Sequence, residues 1–202
     1  MDSILNNLKQ EFKQGTILNK LIYLNVGVFL LFSILGVFSF MFQFHLSPIL
    51  NQLYLPAENS KLLSQPWAFI TYMFFHNGFL HLLFNMVFLY FSGTYFERLF
   101  GGKKLLLTYI FGGLVGGIFE IGAESLFPLL QNTHQLVVGA SGSIMALFTA
   151  LAFYSPNTKI NLFGIIPIKI YFIALFFLVQ DLIGIGSDDH IAHFAHLGGA
   201  TF

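Results

Sequence analysis

The sequence predicts an all-α membrane protein, a bundle of six transmembrane helices, and three observations predict it. Of 202 residues, 56% are hydrophobic and 9% charged, with 27 Phe and a mean hydropathy of +0.76. A soluble domain runs nearer to about 45–50% apolar and about 25% charged. Hydrophobic segments near 21–44, 79–96, 105–123, 136–155, 170–187 and 190–202 alternate with polar or Gly- and Pro-bearing connections. The few charges are sorted between alternate connections. With no cysteine, disulfides, thiolate metal sites and cysteine nucleophiles are excluded. No phosphate-binding loop and no nucleic-acid patch is present in the sequence, so a nucleic-acid partner is not expected.

Segment one carries no charge over 21–44, long enough at about 1.5 Å per residue to cross a core of roughly 30 Å. It exceeds the roughly 7–15 residues of a signal-peptide core, no Ala-x-Ala-like site follows, and further spans do, so it reads as a true span. Residues 1–19 form a tail and 20–202 one membrane domain. With that tail cytoplasmic, Lys9, Lys13, Lys20, Arg98, Lys103, Lys104, Lys159 and Lys169 fall inside, eight of nine basic residues, leaving only Lys61 outside. The outer connection 45–78 holds Pro48, Pro56, Pro66 and Trp67 among apolar residues, as expected of a loop lying at the bilayer interface.

Segment two carries His81 and Asn85, four apart and so on one face, and ends at Glu97-Arg98 before the inner turn Gly101-Gly102-Lys103-Lys104. Gly112, Gly113, Gly116 and Gly117 give segment three a close-packing face, with Glu120 near its outer end as a structural carboxylate. Gly142, Ala146 and Ala150 repeat the device on segment four. Segment six has 13 positions, roughly 20 Å of helix, and reads as cut short at residue 202; the full-length protein is expected to be longer.

Segments two, four and six all run inward, so His81, Asn85, Ser141 and His196 share one depth, some 5–10 Å below the outer interface. A serine in a membrane helix is ordinarily a small packing residue, and His and Asn serve as polar glue between helices. Ser141, however, opens a helix, where backbone N–H groups lack partners and the macrodipole favours an anion. Gly139 and Gly142 bare the backbone on either side of it. His196 supplies a base if segments four and six touch, and Gly199 and Ala200 provide the small face for that contact. Asp188 and Asp189 stand about two turns above His196 and Asp181 belongs to another helix, so a Ser-His dyad without a third carboxylate is expected. The competing pattern is His190, His193 and His196, whose three-residue spacing spreads them over roughly 120°, too wide for one helix to focus on an ion. His76, His81 or His134 from other helices leave a zinc or haem site, and with it a His-dependent metal or haem transporter, as an alternative; the leading reading has no metal and no cofactor.

His81-x-x-x-Asn85, Gly139-Ala140-Ser141-Gly142 and Ala195-His196-Leu197-Gly198-Gly199, in that order on alternate spans, resemble the rhomboid family of intramembrane serine proteases. The likeness covers about 20–202 and includes Trp67 and Glu97-Arg98. It implies a six-helix core around a water-filled cavity, Ser141 as nucleophile and His196 as general base. It also implies an oxyanion site from His81, Asn85 and the Ser141 N–H, with lateral substrate access between the second and fifth spans. The substrates implied are transmembrane proteins cut near small or helix-breaking residues, and a bacterial cytoplasmic membrane is the expected location. A non-catalytic relative that binds membrane clients is the alternative. Two positions depart from the family pattern: Ala68 follows Trp67 where many relatives carry Arg, and Met145 stands where an aromatic residue often supports the histidine.

Overall fold

A computed structural model describes residues 14–56, 62–127, 130, 136–162, 165–187 and 191–202. Helix α1 (Ile17–Phe42) leads to the short α2 (Ser47–Leu53), then to the single turn α3 (Ala68–Thr71), which runs into a 3₁₀ turn, Tyr72–Phe74. The long helices α4 (Phe79–Phe100) and α5 (Gly102–Leu126) follow, then α6 (Ser141–Tyr154). An antiparallel hairpin of β1 (Lys159–Leu162) and β2 (Ile166–Lys169) pairs Lys159 with Lys169 and leads into α7 (Ile170–Gly184). The last helix is α8 (His193–Thr201).

Every hydrophobic segment contains a helix. Among the described residues α1, α4 and α5 are long and apolar enough to cross a bilayer, with mean hydropathies of 2.4, 1.3 and 1.7. The others are shorter than the spans expected: α6 has 14 residues, α7 has 15 and α8 has 9. Segment four loses its first turn because residues ahead of Ser141 are extended. Leu55 and Val137 exchange N–H···O bonds of 3.1 and 3.0 Å, and Gly139 N–H donates to the Tyr72 carbonyl at 3.0 Å. Gly139 also adopts φ +133°, which L-residues rarely reach, so the helix cannot begin before it.

The exterior is apolar, as hydrocarbon requires: Phe40, Phe42, Phe84, Phe153 and Ile183 all face outward. The interior is organised around α6, buried from Gly142 through Thr149. A Cβ added at Gly112 would collide with Ala146, one at Gly116 would fall 2.6 Å from the Ala195 carbonyl oxygen, and one at Gly199 would collide with the Gly142 carbonyl. Small residues on α5, α6 and α8 thus let three backbones approach closely, the packing mode that serves where apolar burial gives no gradient.

The two ends of the bundle differ. At one end Glu97 accepts the Ile17 N–H at 3.0 Å, Phe100 packs on Tyr154, and the Tyr95 hydroxyl bonds the Lys159 carbonyl at 3.1 Å. Lys20, Arg98, Lys103, Lys104, Lys159 and Lys169 therefore lie toward that end. The starts of α4, α6 and α8 meet at the other.

Candidate active site

Ser141 is the first residue of α6, and the segment before it is held on two sides by the 45–78 connection through Leu55 and Tyr72. No helical carbonyl lies behind the Ser141 N–H, so that donor faces the cavity end of the bundle. A Cβ at Gly139 would fall 2.9 Å from His81 Nε2, which shows how closely α4 approaches the segment before the serine.

His81 Nδ1 accepts the Asn77 N–H at 3.2 Å, which leaves the ring proton on Nε2. Asn85 donates one amide hydrogen to the His81 carbonyl at 2.8 Å, keeping a second in hand. His76, just before α4, is buried 5.1 Å from the His81 ring, centroid to centroid. Burial, with His81 adding to it, pushes the His76 pKa down to about 4.

Helix α8 is held against α5 and α6: the Ala195 N–H donates to Glu120 Oε2 at 2.8 Å, and Gly199 abuts the Gly142 carbonyl. That places His196 Nε2 2.7 Å from Ser141 Oγ. On its far side His196 Nδ1 lies 2.8 Å from Asp181 Oδ1, and the same oxygen is 2.9 Å from His193 Nδ1. Asp181 is 2% exposed. The expectation that no carboxylate reaches the histidine is therefore corrected: α7 doubles back into α8 and sets Asp181 against the face that His193 and His196, three apart, share. A carboxylate oxygen accepts, so each imidazole donates Nδ1–H to it. His196 Nε2 is then an acceptor, and the serine hydroxyl donates to it.

His81, Asn85, Ser141, Met145, Asp181 and His196 line one cavity of about 430 Å³. Its wall includes Phe84 and Phe88 of α4 and Phe177 and Gln180 of α7, with the Phe88 and Phe177 rings in edge-to-face contact at 5.0 Å. His81, Asn85, Ser141 and His196 thus converge, with Gly139 packed against His81 and Gly142 against Ala195.

Compared with known families, residues 63–202 match the Rhomboid domain. The chain belongs to the rhomboid family. Rhomboid membership together with the apolar helices makes it an integral membrane protein. It is 28% identical over 192 residues to RHOMBOID-like protein 12, mitochondrial, of Arabidopsis thaliana, covering 90% of this chain and 54% of that one. It is 37% identical over 87 residues to a Bacillus subtilis (strain 168) protein provisionally named rhomboid protease YdcA, covering 43% and 40%. A third relative, Inactive RHOMBOID-like protein 8 of Arabidopsis thaliana, is 32% identical over 147 residues, covering 71% and 36%. The chain thus spans about half or less of the length of these relatives.

In this rhomboid the metal pattern read along one helix also changes. His190 and His134 lie outside the described residues; the ligand atoms that gather within 4.8 Å are those of Asp181, His193 and His196. Such a set of two imidazoles and a carboxylate has the donor chemistry of zinc. Asp181 is the residue of the site that sequence spacing set aside. Its signal was its charge: it is the sole acidic residue in segment 170–187, and an ionisable group inside an apolar span is a functional hypothesis by default.

Proposed function

We propose that this rhomboid is an intramembrane serine endopeptidase that cleaves membrane-anchored proteins near the outer face of the bilayer. The observation that carries the reading is the 2.7 Å hydrogen bond from Ser141 to His196 inside a cavity that extends to the protein's flank. Ser141 Oγ attacks the scissile carbonyl carbon while its proton passes to His196 Nε2. The oxyanion takes hydrogen bonds from the Ser141 N–H, the His81 Nε2–H and the Asn85 amide. Collapse breaks the C–N bond, His196 returns the proton to the leaving amine, and water then releases the acyl group with His196 again as base. No cofactor enters these steps.

The chain is assigned six spans, an inside N-terminus and a bacterial cytoplasmic membrane, supported by the sorting of eight basic residues to one side. Substrate is assigned access between α4 and α7, supported by Phe84 of α4 and Gln180 of α7, which line the cavity and are exposed on the flank; the Phe88 and Phe177 rings, in edge-to-face contact at 5.0 Å, must part for a chain to pass deeper. The test is labelling of the detergent-solubilised full-length protein by a fluorophosphonate probe. Wild type labels and Ser141→Ala does not; equal labelling of the two would sink the nucleophile. A client-binding relative without activity is the second reading, favoured by the relative named as inactive. Cleavage of a transmembrane reporter, lost in His196→Ala, removes it.

A further inference from the structure

We infer that Asp181 is the positioning residue for His196, and that His193 in turn anchors Asp181, so that four side chains from three helices act as one relay. The inference rests on the protease reading above for its kinetic consequences, though not for its geometry.

Three facts carry it. One carboxylate oxygen, Asp181 Oδ1, receives both imidazoles at 2.8 and 2.9 Å. Asp181 is 2% exposed and His193 6%, so the bond between them forms in a medium that magnifies it. His193 itself is wedged against Gly184, since a Cβ there would collide with the imidazole ring. Each link removes a freedom from the next. Gly184 leaves the His193 ring its seat, His193 Nδ1–H holds the carboxylate, and the carboxylate fixes both tautomer and rotamer of His196. With its proton held on Nδ1, His196 has only Nε2 to offer Ser141, which is the atom a general base must present.

The arrangement goes beyond the dyad expected from the positions of the carboxylates along the chain. It also assigns a use to His193, whose spacing from His196 otherwise suggests metal. When Ser141 transfers its proton, His196 becomes an imidazolium with a buried carboxylate at its back, so the relay favours the charged intermediate as well as the starting tautomer. No proton moves to Asp181 in this scheme.

The test compares wild type with Asp181→Asn, Asp181→Glu and His193→Ala in the full chain, by two readouts. The first is the rate of fluorophosphonate labelling, with kcat and KM for a transmembrane reporter. The second is ¹⁵N NMR of the His196 ring, assigned through His196→Ala. Asn fills the space of Asp but can offer an amide hydrogen to Nδ1, turning the ring into its other tautomer. Labelling and kcat should then fall about 10²- to 10⁴-fold, with KM within about twofold. Asp181→Glu, which keeps the carboxylate, should recover part of the loss, and His193→Ala should cost about tenfold. The wild-type ring should show a protonated Nδ1 and Asp181→Asn a protonated Nε2. An unaltered tautomer in Asp181→Asn, or labelling at the wild-type rate, overturns the relay. Loss of wild-type labelling on chelation overturns it in favour of a metal site. A wild type that fails to label yet shows the tautomer exchange keeps the relay and sinks the protease reading.

Discussion

Helices α1 and α6 are both apolar and both lie in the bundle, yet they meet opposite surroundings. Over its 26 residues α1 buries only Leu18, Leu21 and Asn25 and turns Phe38, Phe40, Met41 and Phe42 outward. Helix α6 buries eight consecutive residues from Gly142 to Thr149, and its neighbours approach to backbone distance. Hydropathy alone does not separate the two, because lipid and protein interior are equally apolar; side-chain size does. Large residues suit a helix whose partner is fluid, and small ones a helix whose partners are other backbones. The reactive serine stands at the head of the second kind, where its position is set by contacts on several sides.

That contrast is open to direct attack. The largest effect is expected at the α6–α8 contact. Gly199→Leu drives a side chain into the Gly142 carbonyl and must push α8 away. Fluorophosphonate labelling should fall at least about 10²-fold, since a misplacement near 1 Å at a catalytic pair costs about that much. Labelling at the wild-type rate would show that α6 tolerates the looseness of α1.

A smaller effect is expected at the seam between the two regions, where Phe32 of α1 packs edge-on against Phe75 and the neighbouring His76 packs on His81. His76 has its folded pKa depressed to about 4 from an ordinary 6.5. Between those values the unfolded chain binds more protons than the folded one. The stability is therefore full above about pH 6.5 and is lost as pH falls toward about 4. The Tm in detergent should drop across that window, and His76→Phe should flatten the drop; an unchanged pH dependence in the variant would remove His76 from the seam. The least effect belongs to the outward face of α1. Phe40, 79% exposed, should change to Leu with a shift in stability within about 0.5 kcal/mol and no change in labelling rate, checked by Tm and probe kinetics.

Much of the architecture was legible because it depends on local composition. Apolar runs located α1 and α4 to α8, though not the short α2 and α3 inside the connection read as an interfacial loop, and the spacing of Gly112, Gly116, Gly142 and Ala146 identified the faces that make the closest contacts. Helix ends were less legible, since α7 stops at Gly184, short of its segment's end at 187; the start of α6 at Ser141 was read from sequence, and Leu55 and Tyr72, far away in the chain, fix it by holding the preceding segment extended. The hairpin of β1 and β2 was read only as an inner connection, since its two four-residue strands are too short to announce themselves by alternation.

The site divides in the same way. Ser141, His196, His81 and Asn85 were legible in sequence because three helices expected to run the same way must bring their leading residues to one depth, whatever the lateral order, and the four line one cavity. Depth follows from counting residues at about 1.5 Å each, and counting needs no tertiary structure. Which helices touch, and at what angle, depends on packing between residues far apart in sequence. Only the folded arrangement decided that α7 lies against the face of α8 that bears His193 and His196, and so that Asp181, dismissed along the chain as belonging to another helix, sits 2.8 Å from His196.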